Sequence, residues 1–293
     1  MELRQIKYFL KAAETLNFTQ AANEVFISQS TLSQQIKQLE IELGSPLFDR
    51  FGKRVALTET GKTFKPYALQ AIANALEGQQ AVRELNNLES GEIRIGLTYA
   101  WSAAISKIII EFKNAYPKIK LKIVFGTTDE LLLQLKELKI DILCTFLDHT
   151  INDPDFLTET IFESPMMMVV SAGSALTEKK SITLEELSKL SMALPDRGYS
   201  TRQYLDAVMS KHQLSPQADL EINDIPTLFK MVETGKWVTV LTQITVLDQH
   251  NLKAIPIEGQ IMNREAHLVR LSGLFQSGSN KKFCDLLKEN YKR

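Results

Sequence analysis

Cysteine is nearly absent: Cys144 and Cys284 are the only two in 293 residues. Two thiols make neither a disulfide framework nor a zinc site, so they are expected as reduced core residues. Histidine is also scarce. His149, His212, His250 and His267 are scattered without metal-ligand spacing, so no metal and no other cofactor is expected. No apolar run approaches the ~18–20 residues of a membrane span. The opening MELRQIKYFL is interrupted by Arg4 and Lys7, where a secretory signal needs unbroken apolar sequence. These shortages point to a cytoplasmic protein with no membrane partner. A Gly-rich phosphate loop and a GxSxG elbow are both missing. Asp141 and Asp148 flank Cys144, but no histidine is placed to complete a triad, and His149 adjoins only Asp148. No catalytic residue is expected, and the chain reads as a protein other than an enzyme.

Charge of one sign is missing too. Net charge is −1, which excludes a uniformly basic nucleic-acid coat. The balance is uneven, however: residues 1–66 hold nine Lys/Arg against seven Asp/Glu, a small positive head on a neutral body. That distribution fits a DNA-binding module joined to something else. At this length, with 44% apolar residues, two or more domains with real cores are expected.

The most informative stretch is NFTQAANEVFISQSTLSQQIKQLEIEL, from Asn17 to Leu43. It reads as two short helices joined by a tight turn. Thr19 is expected to cap the first, with Ala21, Ala22 and Val25 on its apolar face and Phe26 and Ile27 closing it. Ser28 is expected to cap the second. Leu32, Ile36, Leu39 and Leu43 recur at four, three and four, so one stripe is buried. The other side carries Gln29, Ser30, Thr31, Ser33, Gln34 and Lys37, with Thr19 and Gln20 on the helix before. Amides read adenine edges in bidentate fashion, and hydroxyls serve base edges or phosphates, so this is the chemistry of a major-groove recognition helix. By itself the same face is equally a solvated one.

The flanking sequence favours recognition. Leu3, Ile6, Phe9, Leu10, Ala13 and Leu16 make an amphipathic helix over Leu3–Leu16 that packs behind the pair. Gly44 ends the recognition helix, and Pro46, Leu47 and Phe48 anchor the next segment to the core. Gly52, flanked by Arg50, Lys53 and Arg54, forms the tip of a hairpin whose returning strand is Val55–Leu57. Cations on such a wing grip phosphate or enter the minor groove without specifying sequence. Thr58 then caps a long helix, Glu59 to about Leu88. Phe64, Ala68, Ala71, Ala75, Gly78, Val82 and Leu85 alternate four and three apart along it. The seam reads as a dimerisation surface, the alternative being a helix packed on its own domain. Asn86–Gly91 reads as a hinge.

The blocks FTQAA, SQSTLSQQIKQLE, LGSPLFDR and LTETG, in this order and spacing over residues 1–65, resemble the N-terminal domain of the LysR-type transcriptional regulators. Ser30 stands where that family commonly has proline, and Gln20 and Gln34 stand where it commonly has arginine. Two cations are thus missing from the DNA face, which implies altered salt dependence and operator preference.

From Glu92 strands and helices alternate. Ile93–Leu97, Ile119–Phe125 and Asp141–Phe146 read as strands, with helices over Ala103–Tyr116 and Asp129–Lys139 between them. Met166–Val170, Met192–Leu194, Leu220–Ile222, Trp237–Leu241 and Ala266–Leu271 read as further strands. Helices are expected near Thr201–His212, Pro226–Thr234 and Asn280–Tyr291, and Thr183–Glu186 is a capping box. Repeated βα units predict a parallel sheet. The SPMMMVVSAGSAL and TLEELSKLSMALPDRG segments carry a weaker resemblance to the same family's effector domain. It implies an α/β, two-lobed, periplasmic-binding-protein-like architecture. The partition expected is a winged helix-turn-helix domain (1–58, all-α with a β-hairpin wing), a linker helix (59–90) and an effector domain (91–293). Within the last, lobe I is 91–162 with 263–293, and lobe II is 163–262.

Ligands of open α/β sheets bind at the carboxyl ends of strands. Those junctions are residues 98–102, 126–128, Thr145, 195–202 and Thr242, and the candidates within them are Thr98, Tyr99, Trp101, Ser102, Thr127, Thr128, Thr145, Thr201, Arg202 and Thr242. Hydroxyls and free N–H groups at helix starts hold anions, and Arg202 is placed to fork onto a carboxylate. Each Thr or Ser is otherwise an ordinary N-cap, and Tyr99 and Trp101 are either an aromatic wall or core. The expected partners are double-stranded operator DNA, a small anionic or polar effector and a second copy of the chain in a homodimer or homotetramer, with RNA polymerase as a further contact. A solute-binding module is the alternative for residues 91–293, but it leaves the first 90 residues unexplained.

Overall fold

A computed structural model describes residues 1–51, 54–85, 91–147, 153–258, 262–272 and 276–291. Two compact units result, one built on Met1–Leu88 and the other on most of the chain from Glu89 onward.

In the first unit, α1 (Leu3–Thr15), α2 (Phe18–Glu24) and α3 (Gln29–Leu43) surround one core. The stripe of α1 differs from expectation. Gln5, Ile6, Phe9, Ala12 and Ala13 are its buried residues, while Leu3 and Leu16 are exposed at its ends. Asn17, not Thr19, caps α2: its side-chain oxygen accepts from the N–H groups of Thr19 and Gln20. Both residue types cap well, and the one standing just outside the helix wins. Ser28 caps α3 by accepting from the Thr31 N–H at 3.1 Å. Leu32, Ile36 and Leu39 are buried as expected, whereas Leu43 is exposed beside the left-handed Gly44 that ends the helix. The wing is an antiparallel pair, β1 (Phe48–Phe51) and β2 (Arg54–Leu57). The Glu40 carboxylate secures its root, accepting from the Leu47 and Phe48 N–H groups.

Next comes α4 (Glu59–Leu85), capped by Thr58, whose hydroxyl oxygen accepts from the Gly61 N–H at 2.9 Å. The first half of the expected seam is corrected. Ala68 is buried, and Phe64 and Ala71 are half-buried, all against the module's own core. Ala75, Gly78 and Val82 are exposed. The Leu85 side chain and the hinge residues 86–90 lie outside the described residues.

The strands of the second unit are β3 (Gly91–Leu97), β4 (Ile119–Phe125), β5 (Ile142–Leu147), β6 (Phe156–Ser171), β7 (Met192–Pro195), β8 (Ala218–Ile222), β9 (Thr239–Thr242), β10 (Leu252–Pro256) and β11 (Asn263–Leu271). Seven of them form one sheet in the order β10-β6-β11-β5-β3-β4, with β9 also paired to β6. The other two, β7 and β8, make a separate parallel pair. The helices are α5 (Ser102–Ala115), α6 (Thr128–Lys136), α7 (Leu184–Leu187), α8 (Ser200–Lys211), α9 (Ile225–Glu233) and α10 (Gly278–Tyr291).

The parallel expectation is corrected to a mixed sheet. β3 runs parallel to β4 and β5, but β11 is antiparallel to β5 and β6, and β9 and β10 are antiparallel to β6. The reason is topological. β6 is a single strand of 16 residues whose first part pairs with β11 and whose last part pairs with β9 and β10. The chain leaves the first group of strands along β6 and returns antiparallel along β11. On one side Ile93, Ile95, Trp101, Ile108, Phe112, Phe146 and Phe283 form a core; on the other Met166, Met168, Val170, Leu205 and Val240 form a second.

Candidate functional site

The helix-turn-helix face is built by the two caps. Because Ser28 sits at the start of α3, the residues after it turn outward. Gln29, Ser30, Thr31, Gln34 and Lys37 are exposed and Ser33 is half-buried, with Thr19 and Gln20 exposed on α2. The hydroxyls gather around the cap: Ser28 Oγ lies 2.9 Å from Ser30 Oγ and 2.7 Å from Thr31 Oγ1. Gln20 Nε2 donates to Glu24 at 3.0 Å, so its amide is held along its own helix. The face therefore offers amides at positions 29 and 34, a hydroxyl cluster at a helix N-terminus, and one ammonium. The expected phosphate grips on the wing, Arg50, Lys53 and Arg54, lie outside the residues whose side chains are described.

In the second unit a small cavity of about 20 Å³, partly open to solvent, lies where α6, α8 and α9 begin. Thr98, Tyr99 and Ala100 contribute from the turn after β3, and Gly126, Thr127 and Thr128 from the turn after β4. Tyr199, Ser200 and Thr201 open α8, and Ile225, Leu241 and Thr245 complete the wall. Eight of the twelve lining residues carry a hydroxyl, although most of the exposed lining is apolar, and none of them is a lysine, arginine, aspartate or glutamate. The starts of α6 and α8, and the turn leading into α5, border the cavity with the partial positive charge of helix N-termini, which at α6 is offset by the Glu130 carboxylate accepting from the Thr127 N–H at 2.9 Å. Two of these starts have no side-chain cap: Tyr199 does not cap α8, and Thr98 does not cap the 3-10 turn leading into α5. Thr98 Oγ1 is buried without a hydrogen-bond partner among the described residues. A buried hydroxyl left in that state costs free energy, and a guest able to bond it recovers that cost.

Aromatic rings face each other across this space. Tyr99 stacks on Phe125 at a centroid distance of 4.9 Å and lies 6.4 Å from Tyr199. The Tyr199 hydroxyl donates to the Asn223 carbonyl at 2.5 Å. Burial first, then the neighbouring Tyr99 and nearby carboxylates, pushes its pKa up to about 12. It stays a neutral phenol throughout the physiological range.

Of the residues expected from sequence, Thr98, Tyr99, Thr127, Thr128 and Thr201 line the cavity and five do not. Trp101 is fully buried among Phe146, Phe162 and Tyr291 as core. Ser102 begins α5, where its carbonyl accepts from Ser106. Thr145 is fully buried behind the wall, 2.8 Å from Thr128 through their hydroxyls. Thr242 is likewise buried and paired with Thr245 at 2.7 Å. Arg202 is the sharpest correction. Its Nε donates to Asp206, its Nη2 to Glu221 at 3.0 Å and its Nη1 to the Pro195 carbonyl at 3.1 Å. The guanidinium expected to fork onto an anion is thus engaged by its own domain. Tyr199 and Ser200 fall within the expected 195–202 junction, whereas Ile225, Leu241 and Thr245 were not legible as lining residues. The Ser-Thr pair opening α8 after Gly198 was the signal for Ser200.

The whole chain has known relatives. Residues 3–62 match the model of the bacterial regulatory helix-turn-helix protein, lysR family, and residues 86–292 match that of the LysR substrate binding domain. YwqM, an uncharacterized HTH-type transcriptional regulator of Bacillus subtilis (strain 168), is 33% identical over 251 residues, covering 85% of this chain and 84% of the relative. Among solved structures, a full-length OxyR variant from Pseudomonas aeruginosa superposes with a TM-score of 0.73 at 24% identity, covering 99% of this chain and 94% of that one. Full-length CbnR complexed with its target DNA has the same fold, with a TM-score of 0.65 at 18% identity and 99% of each chain covered. These matches, together with the helix-turn-helix face and the effector-type domain, establish that the chain belongs to the LysR-type transcriptional regulators, DNA-binding proteins rather than enzymes, whose regulatory domain binds an effector.

Proposed function

We propose that this regulator grips operator DNA as a homodimer or homotetramer in the cytoplasm and is switched by a small, singly charged or polar metabolite held in the cavity. Gln29, Ser30, Thr31, Ser33, Gln34 and Lys37 serve as readers, with Thr19 and Gln20 beside them and Arg50, Lys53 and Arg54 as phosphate grips. On this reading the chain divides into a DNA-binding domain (1–58), a linker helix (59–90) and a two-lobed effector domain (91–293). The exposed Ala75, Gly78 and Val82 on α4 supply a surface for a second copy. RNA polymerase would be met by the DNA-bound form.

The observation that carries the effector reading is the unpartnered, buried Thr98 hydroxyl beside helix starts with no side-chain cap. Neutral donors and helix dipoles suit one negative charge better than several, since no cationic side chain is present to balance a second. An effector that binds one arrangement of the two lobes better than another shifts the population between them, by a coupling of typically ~1–3 kcal/mol.

The test is a thermal-unfolding screen of the full-length chain against small monocarboxylates and polyols. A ligand at 100 times its Kd should stabilise the protein by about 2.7 kcal/mol. The shift should vanish in Thr98→Val, which keeps the shape and removes the hydroxyl. A shift that survives intact in Thr98→Val would move the effector elsewhere.

A further inference from the structure

The turn between α2 and α3 is completed by main chain. The Phe26 N–H donates to the Asn23 carbonyl at 3.2 Å, and the Ile27 N–H reaches back to the Ala22 carbonyl at 3.0 Å. These are the two bonds of a Schellman stop, and Ile27 and Ala22 supply its apolar contact in the module core. The residue at the pivot must adopt a left-handed conformation, and Phe26 does so at φ 58°. Glycine is favoured there because a Cβ is penalised, and a bulky side chain at positive φ is an outlier.

The Phe26 ring gives the fold nothing in return. It is 94% exposed, the most exposed of the module's large apolar side chains among the described residues. Two features that local physics disfavours, strain and a bare aromatic ring, thus coincide at one position. Such coincidences concentrate at functional sites. Phe26 stands two residues before Ser28, so its Cα lies within about 7 Å of the start of α3. The neighbouring surface is the exposed amide and hydroxyl face described above, in the mildly positive part of the chain.

We propose that Phe26 is a DNA contact: its ring lies against the apolar edges of the duplex, thymine methyls and deoxyribose faces, at the rim of the groove that α3 enters. The partner follows from placement. The ring flanks the N-terminus of the helix that presents hydrogen-bond donors, in a family whose business is DNA. Base edges offer an apolar surface only at the thymine methyl, and the backbone offers one at its sugars. The inference rests on the assignment of α3 as the recognition helix.

The experiment uses the full-length protein and an operator selected by it from random duplexes. Phe26→Gly should leave the thermal transition unchanged or raised, because the turn gains the residue it favours, while affinity for the operator falls at least about tenfold, as loss of a buried ring implies. Phe26→Leu should recover most of that affinity. Deoxyuridine in place of thymidine should weaken the native protein if the contact is a methyl and leave it unchanged if it is a sugar. Unaltered affinity in Phe26→Gly, or a lowered transition, overturns the proposal. Gln34→Ala separates the two levels. If it loses operator binding while Phe26→Gly does not, the recognition helix stands and this inference falls; if neither variant loses binding, the helix assignment itself falls.

Discussion

The guanidinium of Arg264, on the returning strand β11, donates to the carbonyl of Ser200 at 2.8 Å, in the first turn of α8. Its other terminal nitrogen donates to the Phe146 carbonyl at 3.0 Å, near the end of β5, and the group lies 4.8 Å from the Tyr204 ring centroid. One buried side chain thus ties the cavity-lining start of α8 to a strand on the other side of the crossing. Arg264→Met should destabilise the protein by about 2–4 kcal/mol, since it removes both of these hydrogen bonds of a buried guanidinium. Arg264→Lys should recover little, because one ammonium does not reproduce the planar fork. Urea unfolding of both variants checks this, with the Lys variant deciding whether geometry or charge matters.

A pH dependence arises from His267. Its Nδ1 is 3.0 Å from the Glu265 carbonyl and so carries the proton, while Nε2 faces the Thr160 hydroxyl at 3.1 Å and the Glu265 carboxylate at 3.2 Å. Burial lowers its pKa below 6.5, with Arg264 adding to the effect and Glu265 opposing it. The unfolded chain therefore takes up the proton first as pH falls. Stability should be full above the ordinary histidine range and decline as pH drops through 6.5 and below, until the folded imidazole also titrates. His267→Gln should flatten that slope in denaturation curves measured between pH 7.5 and 5.

Gly61 is required by close approach. A Cβ built there would collide with the Leu47 carbonyl oxygen, a backbone atom that cannot swing aside. Gly61→Ala should cost about 1–3 kcal/mol and loosen the root of the wing against α4. By contrast, Gly78→Ala meets nothing within 4 Å and should stabilise the helix by up to about 1 kcal/mol. Calorimetry of the pair separates the two positions.

Both thiols should be inert. Burial pushes Cys284 up to about 11 and holds Cys144 well above the usual thiol range. The nucleophilic thiolate is then negligible at neutral pH. Iodoacetamide should label neither in the native chain and both after denaturation, with mass spectrometry as the readout. Rapid native labelling of Cys144 would show that the domain opens far more readily than its packing implies.

The DNA-binding module was legible because its signals are local. Caps, a three-four apolar rhythm and a terminal glycine act within a few residues, and the misassigned cap at Thr19 is two residues from the true one at Asn17. The long strand β6 was legible only in its last third. Its first part holds Glu159, Glu163 and Pro165, which read as loop until β11 supplies their partners, such as Arg270 for Glu159. In the cavity, the strand-end threonines were correctly gathered, but sequence could not tell inward from outward at Thr145 and Thr242, whose hydroxyls bond each to a neighbouring threonine. Arg202 was misread although its partner was visible: Asp206 stands four residues later on the same helix face.

Because β6 belongs to both groups of strands and β11 runs beside it, the two halves of this domain are joined, among the described residues, by hydrogen-bonded strands. A change in their relative angle would twist that ribbon. The pairing already slips register between Ala266 and His267, next to Arg264, and such a bulge concentrates local twist. Twist between the two halves would therefore be taken up first at this bulge, as a change of angle rather than of length.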